Sequence, residues 1–473
     1  MIWIWIIMIL YGVLTVLFAF FGGRGASKSA ESFLMADRNL SLPVYSLTYM
    51  ATFTGGGLVM GLATLAYTTG ISAQWYAMTQ GLAFISIVIL IPFLRKFSAY
   101  TSVPQVLGHL YGNGTKMLAC IITLIGSLAL TAGQTIGMGS LITVVTGLPL
   151  VYSFWISTIL FILITYYGGL KSVAWADVFH GIVLALGIII LVPVALHNAG
   201  GWSVISQSPK VVSGDLNWFG IGLVQIFTWY LMYLFTCGAS QFLVQRVWAA
   251  KTTQTAVIGN LLAGTFVTFF GIFTAIAGLL AKVLAPPDLD PRLAFAWTVS
   301  NLLPEIFAGI LLAAAVAAVM SGADSFLLAA STTFVNDIYI PLRGGRERCT
   351  DQEIVLTSRI SILVFGLLAA LVALSGINIV PINTLGMGLM AAPIFVALLY
   401  AMWKKTVKKA ALPSIIIGGI AFAIWEFGTQ RAFNIEPAVP AALATAISFY
   451  LISRFSSNSP SIDVTAATDT EKI

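Results

Sequence analysis

Long apolar runs, nearly free of charge, recur along this chain and are separated by short polar segments. They fall near 2–21, 42–67, 71–94, 117–146, 149–168, 174–196, 217–240, 255–284, 304–330, 355–376, 379–403, 411–427 and 438–454. A helix of about 20 apolar residues crosses about 30 Å of hydrocarbon, so the pattern predicts an all-α polytopic membrane protein with about 13 transmembrane helices. Two runs are interrupted, the second by Thr52-Phe53-Thr54-Gly55-Gly56-Gly57 and the seventh by Thr236-Cys237-Gly238-Ala239-Ser240-Gln241. Consecutive glycines weaken a helix by about 1 kcal/mol each relative to alanine, and neighbouring hydroxyls can satisfy the freed backbone groups. One such patch alone would fit close helix packing through small residues. The two stand five spans apart, at corresponding places in blocks of about 42–196 and 217–403. That spacing predicts a five-plus-five inverted repeat with a site at mid-membrane, one extra helix before it and two after it.

The ninth span carries Ala318-Val319-Met320-Ser321-Gly322-Ala323-Asp324-Ser325. At 100° per residue, Ala318, Ser321, Gly322 and Ser325 share one narrow arc, with Asp324 on its flank. A carboxylate at membrane depth costs several kcal/mol by insertion scales and is usually kept for ion or solute handling. This face is expected to form half of a cation site.

Composition narrows the class. Charged residues are 8% of 473 positions, hydrophobic ones 59%, and mean hydropathy is +0.97, which excludes an ordinary soluble domain. Placing the N-terminus outside leaves only Lys210, Lys282, Arg292 and Arg431, of 23 Lys and Arg, on the outer side. Short cytoplasmic loops retain positive charge, so the net charge of +6 describes topology, with the C-terminus cytoplasmic, rather than a nucleic-acid surface. Met1-Ile2-Trp3-Ile4 lacks a basic leader region and Gly22-Gly23-Arg24 is a poor cleavage site, so the first span is read as retained. Residues 1–455 form one transporter domain; 456–473, rich in Ser, Thr and Asp, read as a disordered tail. Three cysteines imply no disulfide framework. Neither a nucleotide loop nor a nucleophile–base constellation occurs, and no His, Cys or carboxylate spacing suits a metal centre. No enzyme, no organic cofactor and no obligate protein partner is expected.

Several segments are similar to one family. Glu31-Ser32-Phe33-Leu34-Met35-Ala36-Asp37-Arg38 precedes the first broken span, and Thr101-Ser102-Val103-Pro104 follows the third span. Gly168-Gly169-Leu170-Lys171-Ser172-Val173-Ala174-Trp175-Ala176-Asp177 opens the sixth, Gln245-Arg246-Val247-Trp248-Ala249-Ala250-Lys251 closes the seventh, and Asn336-Asp337-Ile338-Tyr339 follows the ninth. In this order the chain resembles the sodium:solute symporter family, nearest by eye to its pantothenate-carrying branch through Gly147-Leu148-Pro149 and His197-Asn198-Ala199-Gly200-Gly201. The resemblance implies a leucine-transporter-like (APC-type) core and uptake of a small organic solute by sodium symport in the cytoplasmic membrane.

It also implies a sodium site with carbonyls of Ala51, Thr54 and Ala318 and hydroxyls at Ser321 and the next position, which is Gly322 here. The missing oxygen would be replaced by Thr54, Ser325 or Asp324. Asp177 is implied in a second sodium site or exit path; a salt bridge to Lys171 or a basic loop is the structural alternative. Proton coupling through Asp177 or Asp324 remains the rival mechanism, and a channel or a transporter-like sensor the rival classes. His180, one turn after Asp177, reads as packing. The solute is expected beside the breaks, near Thr54, Gly56, Gly57, Trp75, Gln80, Gln134, Ser240, Gln241 and Phe242, with Phe242 as an inner gate by the resemblance. Without a Lys or Arg placed there, a small monocarboxylate or zwitterion is favoured over a polyanion.

Overall fold

The computed structural model describes residues 2–455, apart from 23, 26, 27, 213, 403–406 and 430. The expected tail at 456–473, and Lys404 and Lys405 among the expected cytoplasmic charges, lie outside the described residues. Within them the chain is helical, its β-structure limited to an isolated bridge between Leu40 and Ala250. Eight helices are long and apolar enough to cross a membrane, and ten spans result if each of two bent pairs counts as one. Of the other three expected spans, the first is the 21-residue helix Ile2–Gly22 and the fifth the part of Leu150–Ala199 before the kink at Gly169, while 71–94 is divided by tight turns around the helix Trp75–Ser86.

The two bent pairs are the expected ones. Leu42–Phe53 meets Gly57–Thr69 at 51°, and Leu223–Ala239 meets Gln241–Ala249 at the same 51°. Equal bends five spans apart are what two copies of one unit produce. The ninth span, Glu305–Phe334, packs on Asn113–Thr146, on Leu150–Ala199 and on the second span. Its apolar window is 78% covered and that of the eleventh, Ile379–Ala401, 83%, against 33% for each of the last two spans. The polar face of the ninth span therefore lies at the centre, while Ile416, Ile420, Leu443 and Ile447 of the last two remain exposed, as lipid-facing side chains are. The third and eighth spans cross backbone to backbone. A Cβ on Gly81 would stand 2.5 Å from the Gly264 carbonyl oxygen, and one on Gly264 2.7 Å from that of Gly81.

Many of the motif residues fasten one end of this bundle. Arg95 donates to the carbonyls of Val247, Trp248 and Ala250 at 2.9, 3.2 and 2.8 Å, satisfying the end of helix Gln241–Ala249, whose last carbonyls have no partner within the helix. Arg38 does the same for the 98–100 turn. Gln241 accepts from Val103 N–H at 2.8 Å and donates to the Thr101 carbonyl at 2.9 Å, and Gln245 donates to the Leu34 carbonyl. Lys171 pairs with Asp37 at 3.2 Å.

The fifth and sixth spans join at Gly169, with φ 54° and ψ −155°, a conformation open essentially to glycine alone. A Cβ there would also lie 2.2 Å from the Phe33 carbonyl oxygen. Gly169→Ala is expected to cost about 1–3 kcal/mol from backbone strain before the clash is counted, seen as a lowered unfolding midpoint in detergent; an unchanged midpoint would mean that the junction relaxes freely.

Candidate cation and solute site

The first half of the second span ends at Thr54, and the chain resumes as helix from Gly57. Across the gap, the N–H groups of Leu58 and Val59 both return to the Gly55 carbonyl, at 3.0 and 3.1 Å. The ninth span faces this break. A Cβ on Gly55 would lie 3.4 Å from the Ala318 carbonyl oxygen, and Thr52 Oγ1 lies 3.2 Å from Ser325 Oγ. Ser321 is 1% exposed and its hydroxyl makes no hydrogen bond. Such a group costs about 1–3 kcal/mol if left without a partner.

The three expected replacements for an oxygen at position 322 are engaged elsewhere. The Thr54 hydroxyl donates to the Met50 carbonyl at 2.9 Å. Ser325 donates to the Ser321 carbonyl at 2.7 Å while accepting from Arg246. Asp324 accepts from Thr165 at 2.7 Å, on the fifth span. Gly322 faces Gln134 of the fourth span instead: a Cβ there would stand 3.0 Å from its carboxamide oxygen.

Arg246 corrects the charge assignment made from sequence, where the seventh span ended at the break and Arg246 fell into a loop. The half-helix Gln241–Ala249 carries it back into the bundle, where it is 1% exposed. Its Nη2 stands 3.6 Å from Asp177 Oδ2 and donates to Ser325 Oγ at 2.6 Å. Nε donates to Thr48 Oγ1 at 3.1 Å and Nη1 to the Phe242 carbonyl at 2.8 Å. The Thr48 hydroxyl in turn donates to Asp177 Oδ2. Asp177 thus pairs with Arg246, since Lys171 is held by Asp37. A fixed guanidinium occupies one side of the carboxylate; Oδ1 on the other completes no hydrogen bond, with the Ser321 hydroxyl as its neighbour. His180 meets Thr15 of the first span at 3.3 Å, against Tyr11 and Phe179, a packing role.

Beside the break lies a closed cavity of about 10 Å³, lined by Thr52, Phe53, Gly57, Leu58, Tyr76, Gln80, Gln134, Phe326, Asn383 and Met387. That holds about one water. Of the residues expected around the solute, Gly57, Gln80 and Gln134 line it, and Gly56 adjoins it by donating its N–H to Gln134 Oε1 at 2.7 Å. Phe242 lies beneath Phe53 and Phe326, with ring centres 5.5 and 4.7 Å away. Three others stand apart. Trp75 donates to the Trp218 carbonyl at 2.8 Å, Ser240 donates to the Thr236 carbonyl of its own helix, and Gln241 serves the 101–103 turn. Tyr76 and Asn383 were missed. The only advance signal for Asn383 is a polar side chain within an otherwise apolar eleventh span. Gln80 Nε2, a donor, and Asn383 Oδ1, an acceptor, are buried without partners.

Larger clefts open at the two ends of the bundle. One, of about 610 Å³, is lined by Glu31, Gln105, Lys116 and Arg346 among others. The other, of about 520 Å³, includes Gln225, Trp229, Arg292, Arg431 and Glu436. Trp229 donates to Glu436 at 2.9 Å and lies edge-on to Tyr76, 5.2 Å between ring centres, so it separates this cleft from the cavity. Burial raises the Glu436 carboxyl above its ordinary range, against the opposing pull of Arg431.

Removing one partner of a buried ion pair typically costs about 3–5 kcal/mol, because the other charge is left uncompensated. Arg246→Met is therefore expected to lower the unfolding midpoint strongly, and Asp177→Leu added to it to recover much of the loss. Additive losses in the double variant would deny the pairing.

A family profile described as Sodium:solute symporter family matches residues 33–418. The sodium/proline symporter of Staphylococcus aureus (strain JH9) is 24% identical over 481 aligned residues, covering 95% of this chain and 92% of that protein. Among solved structures, a substrate-bound, outward-open Na+-coupled sialic acid symporter superposes with a TM-score of 0.83 at 20% identity, covering 97% of this chain and 98% of that one. Mhp1, a nucleobase-cation-symport-1 family transporter, gives 0.59 at 14% identity, covering 89% and 95%. These structures share the fold, and with the profile running from before the first break to beyond the eleventh span, the chain belongs to the sodium:solute symporter family.

Proposed function

We propose that this protein carries a small monocarboxylate or zwitterion inward together with sodium, by alternating exposure of the site between its two broken spans. As a member of its family it is a multi-pass membrane transporter and not an enzyme. The observation that supports the sodium reading is the buried Ser321 hydroxyl on the ninth span, which completes no hydrogen bond and stands beside the Asp177 carboxylate, near the break of the second span. Sodium needs about five or six hard oxygens, and carbonyls of Ala51, Thr54 and Ala318 with Ser321 supply the majority. Proton coupling through Asp177 is disfavoured by the guanidinium of Arg246 beside it.

The solute class follows from the cavity. No charged side chain lines it, so a polyanion would be uncompensated, whereas a single carboxylate can be met by the bound cation or by N–H groups at the start of the second half-helix. Gln80 and Asn383 offer one donor and one acceptor, a match for a solute carrying both kinds of group. Proline, carried by the similar staphylococcal symporters, fits this class, as does pantothenate. The cleft bearing Lys116 and Arg346 is read as cytoplasmic on the positive-inside rule. Sodium binding would hold the second span against the ninth, the solute would close the Tyr76 side, and opening past Phe242 would release both.

Uptake of radiolabelled proline, pantothenate and sialic acid into proteoliposomes, with sodium and proton gradients imposed separately, tests the proposal. Accumulation of one of them on a sodium gradient alone is expected; accumulation that follows only the proton gradient refutes it. Ser321→Ala is expected to raise the sodium half-saturation about tenfold, the loss of about 1.4 kcal/mol, and Asn383→Ala to raise the solute KM at saturating sodium. If neither parameter moves, the site lies elsewhere.

A further inference from the structure

We infer that the side-chain carboxamide oxygen of Gln134, on the fourth span, is the sodium ligand that replaces the hydroxyl absent at Gly322. The inference rests on the sodium reading above and names the member of the ligand set that the ninth span does not provide.

Position carries the first step. A Cβ built on Gly55 would lie 2.7 Å from Gln134 Oε1 and 3.4 Å from the Ala318 carbonyl oxygen, so both oxygens border one niche at the break. A Cβ on Gly322 would lie 3.0 Å from the same Oε1. The carboxamide occupies the space that a side chain at 322 would need. Glycine at 322 and glutamine at 134 are therefore one feature: the oxygen comes from the fourth span and the ninth span leaves room for it.

Chemistry carries the second. A carboxamide oxygen is a hard neutral donor with two lone pairs. One accepts the Gly56 N–H at 2.7 Å, which fixes the group at the break, and the other remains for a cation. Gln134 is 3% exposed, so water does not compete freely. The nearby Ser321 hydroxyl, buried and without a partner, is the complementary ligand. Of the other oxygens near position 322, Ser325 already donates to the Ser321 carbonyl and accepts from Arg246, and Asp324 turns to Thr165 of the fifth span. Since Gln134 also lines the cavity beside Gly57 and Asn383, one side chain borders both ion and solute.

The geometry reverses the simplest expectation for position 322. Restoring a hydroxyl by Gly322→Ser does not complete the site, because the new Cβ, 3.0 Å from the carboxamide oxygen, shifts that oxygen off its position by a few tenths of an ångström. Binding of 22Na+ to the purified protein in nanodiscs, without solute, is the readout. Gln134→Ala and Gly322→Ser are each expected to weaken binding by about tenfold, and the double variant, which moves the oxygen from 134 to 322, to bind within about threefold of wild type, a strong positive coupling between neighbours. Gln134→Met, close in volume, serves if the smaller side chain unfolds the protein and should weaken binding equally. Unchanged binding in the Gln134 variants, or a double variant no better than the singles, overturns the assignment. A raised solute KM with unchanged 22Na+ binding also overturns it, making Gln134 a solute contact only. Wild-type protein that binds no 22Na+ overturns the sodium reading itself, and this inference with it.

Discussion

A helix broken in the middle of a membrane must find partners for the backbone groups that the break sets free, because no bulk water is there to supply them. Most of the features at the centre of this protein answer that requirement. At the second span, the Gly55 carbonyl takes two returning N–H groups, Gln134 takes the Gly56 N–H, and small residues at 55, 56 and 57 let the fourth and ninth spans come close enough to help. At the seventh, Ser240 turns its hydroxyl to its own helix, and the resumed half-helix is capped at its far end by Arg95. Carbonyls not satisfied this way are the natural ligands of a cation. The binding site is what remains after the break has been made tolerable.

The second half of the seventh span delivers Arg246 to the buried Asp177. Such a pair adds little net stability over well-packed apolar residues, since desolvation consumes most of its attraction. Its geometric effect is larger. Arg246 reaches Thr48 of the second span, Ser325 of the ninth and the Phe242 carbonyl of its own half-helix. One guanidinium thereby ties both broken spans to the ninth, one turn from Ser321. A separation of those elements on one side must break several charge-assisted hydrogen bonds together, which favours discrete open and closed arrangements over gradual ones.

The architecture was legible in the sequence wherever a single physical rule decided it. Apolar length marked the long spans, and the glycine and hydroxyl clusters at 52–57 and 236–241 marked both breaks, because a helix weakened at membrane depth is rare without cause. Shorter pieces were less clear: 71–94 carries no charge, yet tight turns divide it, and hydropathy is blind to turns. Helical periodicity nominated Ser321 and its neighbours on the ninth span, and the resemblance to the symporter family nominated Ala51 and Thr54 on the second. Residues whose role depends on which span lies opposite could not be nominated this way. Arg246 looked like a loop charge because the apolar run stops at the break, and Trp75 and Gln241 looked like solute contacts although each serves a turn some distance from the cavity. Gly322 was recognised as a gap, but what fills it comes from the fourth span, and no pattern within either span links 322 to 134.

The division of ligands among spans bears on how an ion could drive a solute. A bound species shifts a conformational equilibrium only by the difference in its affinity for the two states, and a site built on one rigid helix has no such difference. In the proposed site the oxygens would come from at least three elements: the break of the second span, Ala318 and Ser321 of the ninth, and Gln134 of the fourth. Their spacing changes whenever the broken spans tilt against the other two, so an ion bridging them binds one arrangement better than the other. The cavity obeys the same rule, drawing Tyr76 and Gln80 from the third span, Gly57 from the second and Asn383 from the eleventh. With Gln134 in both proposed ligand sets, the two equilibria would share a physical part, and filling one site would organise the other through a side chain rather than through a distant rearrangement.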